Sequence, residues 1–386
     1  MGQNRDAHTI GIYVHIPFCE KKCFYCDFYS LENHSLRNEF ISSLVREISG
    51  ITARTSERPK ADTIFFGGGT PSLLSEKEFD LILDTIRSNF DVSEDAEVTA
   101  ECNPGTIDLQ KLRAYSDLGI NRLSFGVQSF FDDELKFLSR IHDSKQAAAA
   151  IETAHAAGFE NVNLDLMYAL PGQTIPRLES NLNRAIELGT KHISAYALIV
   201  EPGTPLFSAV AEGKVDPAGD SEEAAMYQHV MEALENSGFN HYEISNYSRD
   251  GFKCRHNLKY WNCEEYVGFG PSAHSYMAGR RWWNVSSLTN YVDSISAGKS
   301  PISAAETLND SQKLDEFVLL KLRQGRLNLI EAAEKFGLSI GAQFVADLVK
   351  AGYASLSVDT LALTSKGFTV CDEIAEDLLA KHSVSV

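Results

Sequence analysis

The segment running from Gly11 to Cys26 constrains this chain more than any other stretch, because Cys19, Cys23 and Cys26 form a C-x3-C-x2-C run directly after a short apolar strand. Thiolates at that spacing, carried on one loop, suit an iron–sulfur cluster. Such clusters normally take four Cys, so a [4Fe–4S] cubane held by three keeps one iron open to an outside ligand, much as a catalytic zinc keeps one position open. A zinc site would need a second Cys/His pair at a comparable spacing, and a disulfide framework would need an even count in a short secreted chain. Neither condition is met, and the segment predicts a chemical site.

Composition sets the outer limits. A chain of 386 residues, 44% hydrophobic and 23% charged, has the make-up of a soluble globular protein of roughly two or three domains. The first residues, Met1 to His8, lack an apolar run after their single Arg, and no stretch approaches the ~18 apolar residues of a membrane span. A cytoplasmic location is therefore expected. Seven Cys, three of them in the cluster motif, agree with a reducing compartment. The net charge of −18 argues against non-specific binding to nucleic acid or anionic lipid.

A strand-then-helix alternation recurs before residue 220, with strands expected at Ile10–Ile16, Thr63–Phe66, Glu97–Ala100, Arg122–Phe125, Val162–Met167 and His192–Ile199. Helical faces fill the gaps: Leu36, Phe40, Leu44 and Ile48; Phe79, Ile82, Leu83 and Ile86 behind the capping box Ser75–Glu78; and Leu109, Leu112 and Tyr115. Repeated right-handed units of this kind give an α/β fold with a parallel sheet curled into a partial (β/α)6 barrel. Polar residues of such barrels act at the C-terminal ends of strands. The cysteines, Gly67–Pro71, Glu101–Gly105, Gln128 and Asp165 all fall at or near such ends.

The Cys run, with Tyr25 just before its last Cys, resembles the signature of the radical S-adenosylmethionine (SAM) enzymes. In that family the amino and carboxylate groups of SAM chelate the open iron, and the reduced cluster splits the sulfonium to give a 5′-deoxyadenosyl radical. More closely, Tyr13–Cys19, the Gly-Gly-Gly-Thr-Pro run, Ser124–Gln128, Tyr242–Tyr247 and Gly268–Tyr276 resemble the oxygen-independent coproporphyrinogen III oxidase family through nearly the whole chain. By that resemblance Tyr13, Tyr25, Gly68, Gly69, Thr70, Glu101, Gln128, Arg140 and Asp165 match SAM-contacting positions, some of which serve a second SAM in the oxidase. Some also have a plainer reading: a tight turn at Gly67–Gly69, rim ion pairs for Glu101 and Asp165, and a surface charge for Arg140.

Two departures separate the chain from the oxidase: Phe28 stands where the oxidase has a further Cys, and Tyr13 lies close to the start. The stretch His256-Asn-Leu-Lys-Tyr-Trp261 instead matches a motif of the family's heme-chaperone branch. That branch implies heme as a ligand, apo-hemoproteins as recipients, an electron donor if SAM is cleaved, and transient membrane association. His256 beside Tyr260 and Trp261 fits a heme site, with imidazole as axial ligand and aromatics against the porphyrin; it equally fits a satisfied core histidine.

After Pro301 the pattern changes. Three helices at Gln312–Leu322, Leu329–Phe336 and Ile340–Ala351, followed by a hairpin from Tyr353 to Thr364, read as a winged-helix-like α+β domain. Its would-be recognition helix carries only Lys350 as a cation, too few for phosphate contacts. The expected organisation is a barrel over residues 1–240, a connecting segment over 241–305 and this domain over 306–386.

Overall fold

The computed structural model describes residues 9–51 and 58–381; the expectation about Met1–His8 lies outside them. Six parallel strands run in sequence order through the centre of one sheet: β1 (Ile10–Ile16), β2 (Lys60–Gly68), β3 (Asp91–Cys102), β4 (Arg122–Gln128), β5 (Asn161–Tyr168) and β6 (His192–Ala197). They are joined by α1 (Arg37–Ser49), α2 (Glu76–Asn89), α3 (Leu109–Asp117), α4 (Asp132–Phe137), α5 (Ser144–Ala156) and α6 (Ile175–Glu187). The capping box at Ser75 forms as its sequence requires, with Ser75 and Glu78 each accepting the other's backbone N–H.

Strand alternation explains the layering. On β1 the residues Ile12, Val14 and Ile16 are fully buried under the helices, where they join Phe40, Leu44, Phe79 and Ile86 in the main core. The opposite face of these strands turns inward and is largely polar, with Tyr13 and His15, Thr63, Glu97 and Thr99, Arg122 and Ser124, Asn163 and Asp165, and His192 and Ser194, beside the apolar Phe65 and Met167.

The sheet is larger than the six expected units. Residues 241–305, read from the sequence as a connecting segment, supply strands to both of its sides. After α7 (Pro205–Ala211) and α8 (Asp220–Asn236), the hairpin β7 (Asn240–Glu243) and β8 (Asn246–Ser248) lies antiparallel along β6. The helix α9 (Arg255–Trp261) leads to β9 (Tyr266–Phe269), which pairs parallel to β1, and then to β10 (His274–Met277), β11 (Arg280–Asn284), α10 (Leu288–Ser296) and β12 (Ile302–Thr307). The result is an open sheet of twelve strands with β12 and β7 at its edges, so the barrel is partial.

Beyond it, α11 (Asp310–Arg323), β13 (Arg326–Asn328), α12 (Leu329–Phe336), α13 (Ala342–Lys350), β14 (Ala354–Ser357) and β15 (Thr360–Leu363) follow the winged-helix order, with sheet order β13-β15-β14. This unit has its own core around Leu314, Phe317, Val318 and Leu322. It is closed by α14 (Ser365–Phe368) and α15 (Cys371–Lys381) and docks through the bidentate pair Arg281–Glu316 and through Phe368 packed at a tilt against the His241 ring.

Candidate cluster and cofactor site

The loop after β1 is fixed at several points. Cys19 N–H donates to Leu31 O, Leu31 N–H to Pro17 O, Phe24 N–H to Leu138 O and Leu206 N–H to Phe24 O. Phe24 and Tyr25 pack onto Leu138, Met167 and Leu206, which form a separate small core beneath the loop. The aromatics between the second and third Cys thus anchor the loop to β5 and α7. All three thiols are free and line one cavity of about 490 Å³ at the C-terminal ends of the strands, within the size range of small-molecule sites.

Cys19 accepts a hydrogen bond from the Thr70 hydroxyl at 3.5 Å, and Cys23 accepts one from Arg140 Nη1 at 3.2 Å. Burial raises the Cys19 thiol and pushes Cys26 up to about 11, so these sulfurs ionise only against a strong positive charge. Among the described residues no group of His, Cys, Asp and Glu is gathered to hold a single metal ion. In a cubane each thiolate takes a different iron, so sulfurs that line a cavity without converging on one point fit a cluster better than one ion.

Tyr25, Gly68, Gly69, Thr70, Glu101, Gln128, Arg140 and Asp165 line the same cavity. Glu101 Oε2 accepts the Gly68 N–H at 3.1 Å; burial and the neighbouring Asp165 raise its pKa to about 8. Burial also raises Asp165, although Asn163 donates to its Oδ1 at 2.8 Å. Gln128, held at a φ of 70°, accepts from the Tyr196 hydroxyl at 2.7 Å. Arg140, undecided from spacing alone, points inward and spans Cys23 and the Gly126 carbonyl.

The glycines serve packing as well as access. Gly68 has a φ of +108°, and a Cβ there would lie 2.5 Å from His15 Cε1; at Gly69 it would lie 2.6 Å from the Phe18 carbonyl oxygen. The run is thus pressed against the end of β1, the strand that launches the cysteine loop.

Tyr13 sits behind the cavity rather than on it, with its hydroxyl bonded to His15 Nδ1 at 3.1 Å and its ring stacked on Phe65 and His256. His256, expected from the sequence at a heme site, lies inside the barrel. That residue is 1% exposed, with Nδ1 bonded to Thr63 Oγ1 and Nε2 to the Tyr260 hydroxyl, both at 2.8 Å. Both ring nitrogens are thus engaged by neighbouring hydroxyls, and burial lowers its pKa to about 3. Helix α9 enters the lower barrel because Glu97 accepts the N–H groups of Arg255 and His256 at 3.1 and 3.0 Å, a carboxylate satisfying the unpaired donors of a helix start. Tyr260 packs edge-on to Tyr266, and the Trp261 carbonyl accepts from Gln324 of the last domain.

Sequence reasoning gave no role to His15 or Asn163. His15 is buried, its Nε2 bonded to Tyr29 O at 2.9 Å, and it supports Gly68. Asn163 joins Ser124, Asp165, His192 and Ser194; its position two residues before Asp165, hence on the same strand face, was the available signal.

Residues 13–185 match the model of the radical SAM superfamily. The chain is 38% identical to the heme chaperone HemW of Bacillus subtilis over 94% of its own length and 97% of that protein. It is 36% identical to HemW of Mycobacterium tuberculosis over 97% and 95%. The chain belongs to the HemW family. Its fold is that of the radical SAM enzyme coproporphyrinogen III oxidase (HemN) from Escherichia coli, with a TM-score of 0.81 over 96% of this chain and 90% of the oxidase, at 22% identity. The radical SAM match implies a [4Fe–4S] cluster and SAM, and the thiols and cavity described above fit both.

Proposed function

We propose that this chain binds heme alongside a [4Fe–4S] cluster and SAM and hands the heme to apo-hemoproteins, without decarboxylating coproporphyrinogen III. The supporting observation is the match to HemW along almost the entire chain, to which Phe28 adds an apolar residue where the resemblance to the oxidase would place Cys.

In this reading Cys19, Cys23 and Cys26 hold the cluster, and Arg140 and Thr70 stabilise the thiolates they touch. When bound and reduced, such a cluster supplies the electron that can cleave SAM, for which an electron donor would be needed. The N–H groups of Gly68, Gly69 and Thr70 are taken by Glu101, Ile16 O and Phe18 O, so the glycine run offers carbonyl oxygens, which suit the N–H donors of the SAM amino group. Glu101 and Asp165 provide carboxylates for that amino group or the ribose hydroxyls. Gln128 and Tyr25 border the same space, and Tyr13 supports it from behind. Cytoplasmic location and transient membrane association belong to the same proposal; among the described residues no helix is long and apolar enough to cross a membrane.

Anaerobic cluster reconstitution tests the reading, followed by hemin titration, transfer to heme-stripped myoglobin, and incubation with coproporphyrinogen III, SAM and reductant. Stoichiometric hemin binding and transfer without protoporphyrinogen IX are expected. Protoporphyrinogen IX formed over several turnovers, with 5′-deoxyadenosine in proportion, would overturn it.

A further inference from the structure

If heme is the cargo and His256 is sealed inside the barrel, the macrocycle needs another surface. Among the described residues few large apolar side chains are well exposed. Val358, at the tip of the last domain's hairpin, leads at 98%, and the next two are Phe28 at 64% and Ile199 at 63%. Both of these line the cluster cavity, although they come from loops more than a hundred and fifty residues apart in the chain.

Neither side chain is a loose tip. The Phe28 carbonyl accepts from Lys22 Nζ at 3.1 Å and from the Ser30 hydroxyl at 3.4 Å. Ile199 follows Leu198, which is buried and whose N–H donates to Tyr168 O at 2.9 Å. The expected strand reached Ile199, but β6 stops at Ala197, and the chain turns out over the mouth. Apolar surface held exposed on anchored backbone beside a cavity marks a ligand surface.

We infer that heme docks over the mouth of the cluster cavity, its macrocycle against Phe28 and Ile199 and its propionates toward Lys21 and Lys22. This deepens the chaperone reading and rests on it. A porphyrin is flat and apolar with two carboxylates at one edge, and the mouth offers apolar contacts with cations on the loop that carries Phe28. Lys21 lines the cavity itself, whereas Asp27 and Glu201 also line it and would repel the propionates, directing them to the lysine side. No histidine lines the cavity, so hemin held here takes no axial imidazole from its wall. Heme seated at the mouth also obstructs the exit of SAM from below.

The test uses the full chain with its cluster reconstituted. In the variant Phe28→Ser/Ile199→Ser, both positions being exposed, the hemin dissociation constant should rise roughly tenfold or more, with cluster absorbance and SAM affinity as in the parent. Lys21→Glu/Lys22→Glu should weaken hemin through charge and more strongly at low salt. His256→Ala should keep the parent's hemin affinity and Soret position, and release of labelled SAM should slow when hemin is bound. Parent-like hemin affinity in Phe28→Ser/Ile199→Ser, or SAM release indifferent to bound hemin, would overturn the mouth site while leaving the chaperone reading standing. A parent protein that binds no hemin would remove both.

Discussion

Arg140 donates from Nη1 to the Sγ of Cys23 at 3.2 Å and from Nη2 to the carbonyl of Gly126 at 2.6 Å, so one guanidinium fastens the cysteine loop to the end of β4. A charge-assisted hydrogen bond of this kind contributes about 1.5–3 kcal/mol. Arg140→Ala should therefore accept a cluster but lose it faster under chelator, read as decay of its visible absorbance. Arg140→Lys should fall between, since it keeps the charge but cannot span both acceptors. Equal decay in all three proteins would show that the contact has no part in holding the cluster.

Cys102 provides a sharp control for the cluster assignment, because it lines the same cavity yet is buried with its thiol pushed up to about 12. Cys19→Ser, Cys23→Ser and Cys26→Ser should each abolish the cluster absorbance, whereas Cys102→Ser, Cys254→Ser, Cys263→Ser and Cys371→Ser should retain it. Full iron and sulfide content in reconstituted Cys23→Ser would refute the ligand set.

Gly68→Ala should destabilise the fold by about 1–3 kcal/mol, since the substitution combines a strained φ with contact against the His15 ring. Gly172→Ala isolates the strain, because its φ is +72° and nothing lies within 4 Å of an added Cβ. Thermal unfolding of the two variants should rank Gly68→Ala as the worse, with SAM affinity reduced in that variant alone.

Glu101 gives a pH dependence with a definite sign. Its pKa is raised from 4.5 to about 8 by burial and by Asp165, so the folded ligand-free protein holds this proton more tightly than the unfolded chain does. That contribution is present below the unfolded value and is lost as the pH climbs from 4.5 to about 8. A cationic ligand reverses the balance by favouring the carboxylate. SAM binding at pH 7 should release protons and tighten toward pH 8, measured by calorimetry in buffers of different ionisation enthalpy; Glu101→Gln should remove most of the release.

The cluster motif and the strand ends were legible in the sequence because they are local: a spacing of three cysteines, glycines after a strand, a carboxylate where an apolar run stops. The eight residues other than Tyr13 matched to SAM positions do line one cavity. Less legible was anything that depended on pairing across the fold. Residues 241–305 looked like a connection because β7 to β11 are each only three to five residues long and have no clear period of their own. The environment of His256 was equally hidden, since the Thr63 and Glu97 that hold it and its helix come from β2 and β3, well over a hundred residues earlier. A motif such as His-Asn-x-x-Tyr-Trp states which residues occur together but not whether they face solvent or the interior.

The pairing of β1 with both β2 and β9 sets an order of events during synthesis. On synthesis β1 keeps one edge unpaired until residues 266–269 have followed it, and Glu97 waits similarly for the start of α9. Contacts of such sequence separation form late. The loop with Cys19, Cys23 and Cys26 hangs from β1, so its final shape is reached only after residues 266–269 have been made. Cluster loading should accordingly be a step that follows translation of the barrel, and nascent chains halted before residue 266 should fail to retain iron even though all three ligands are already present.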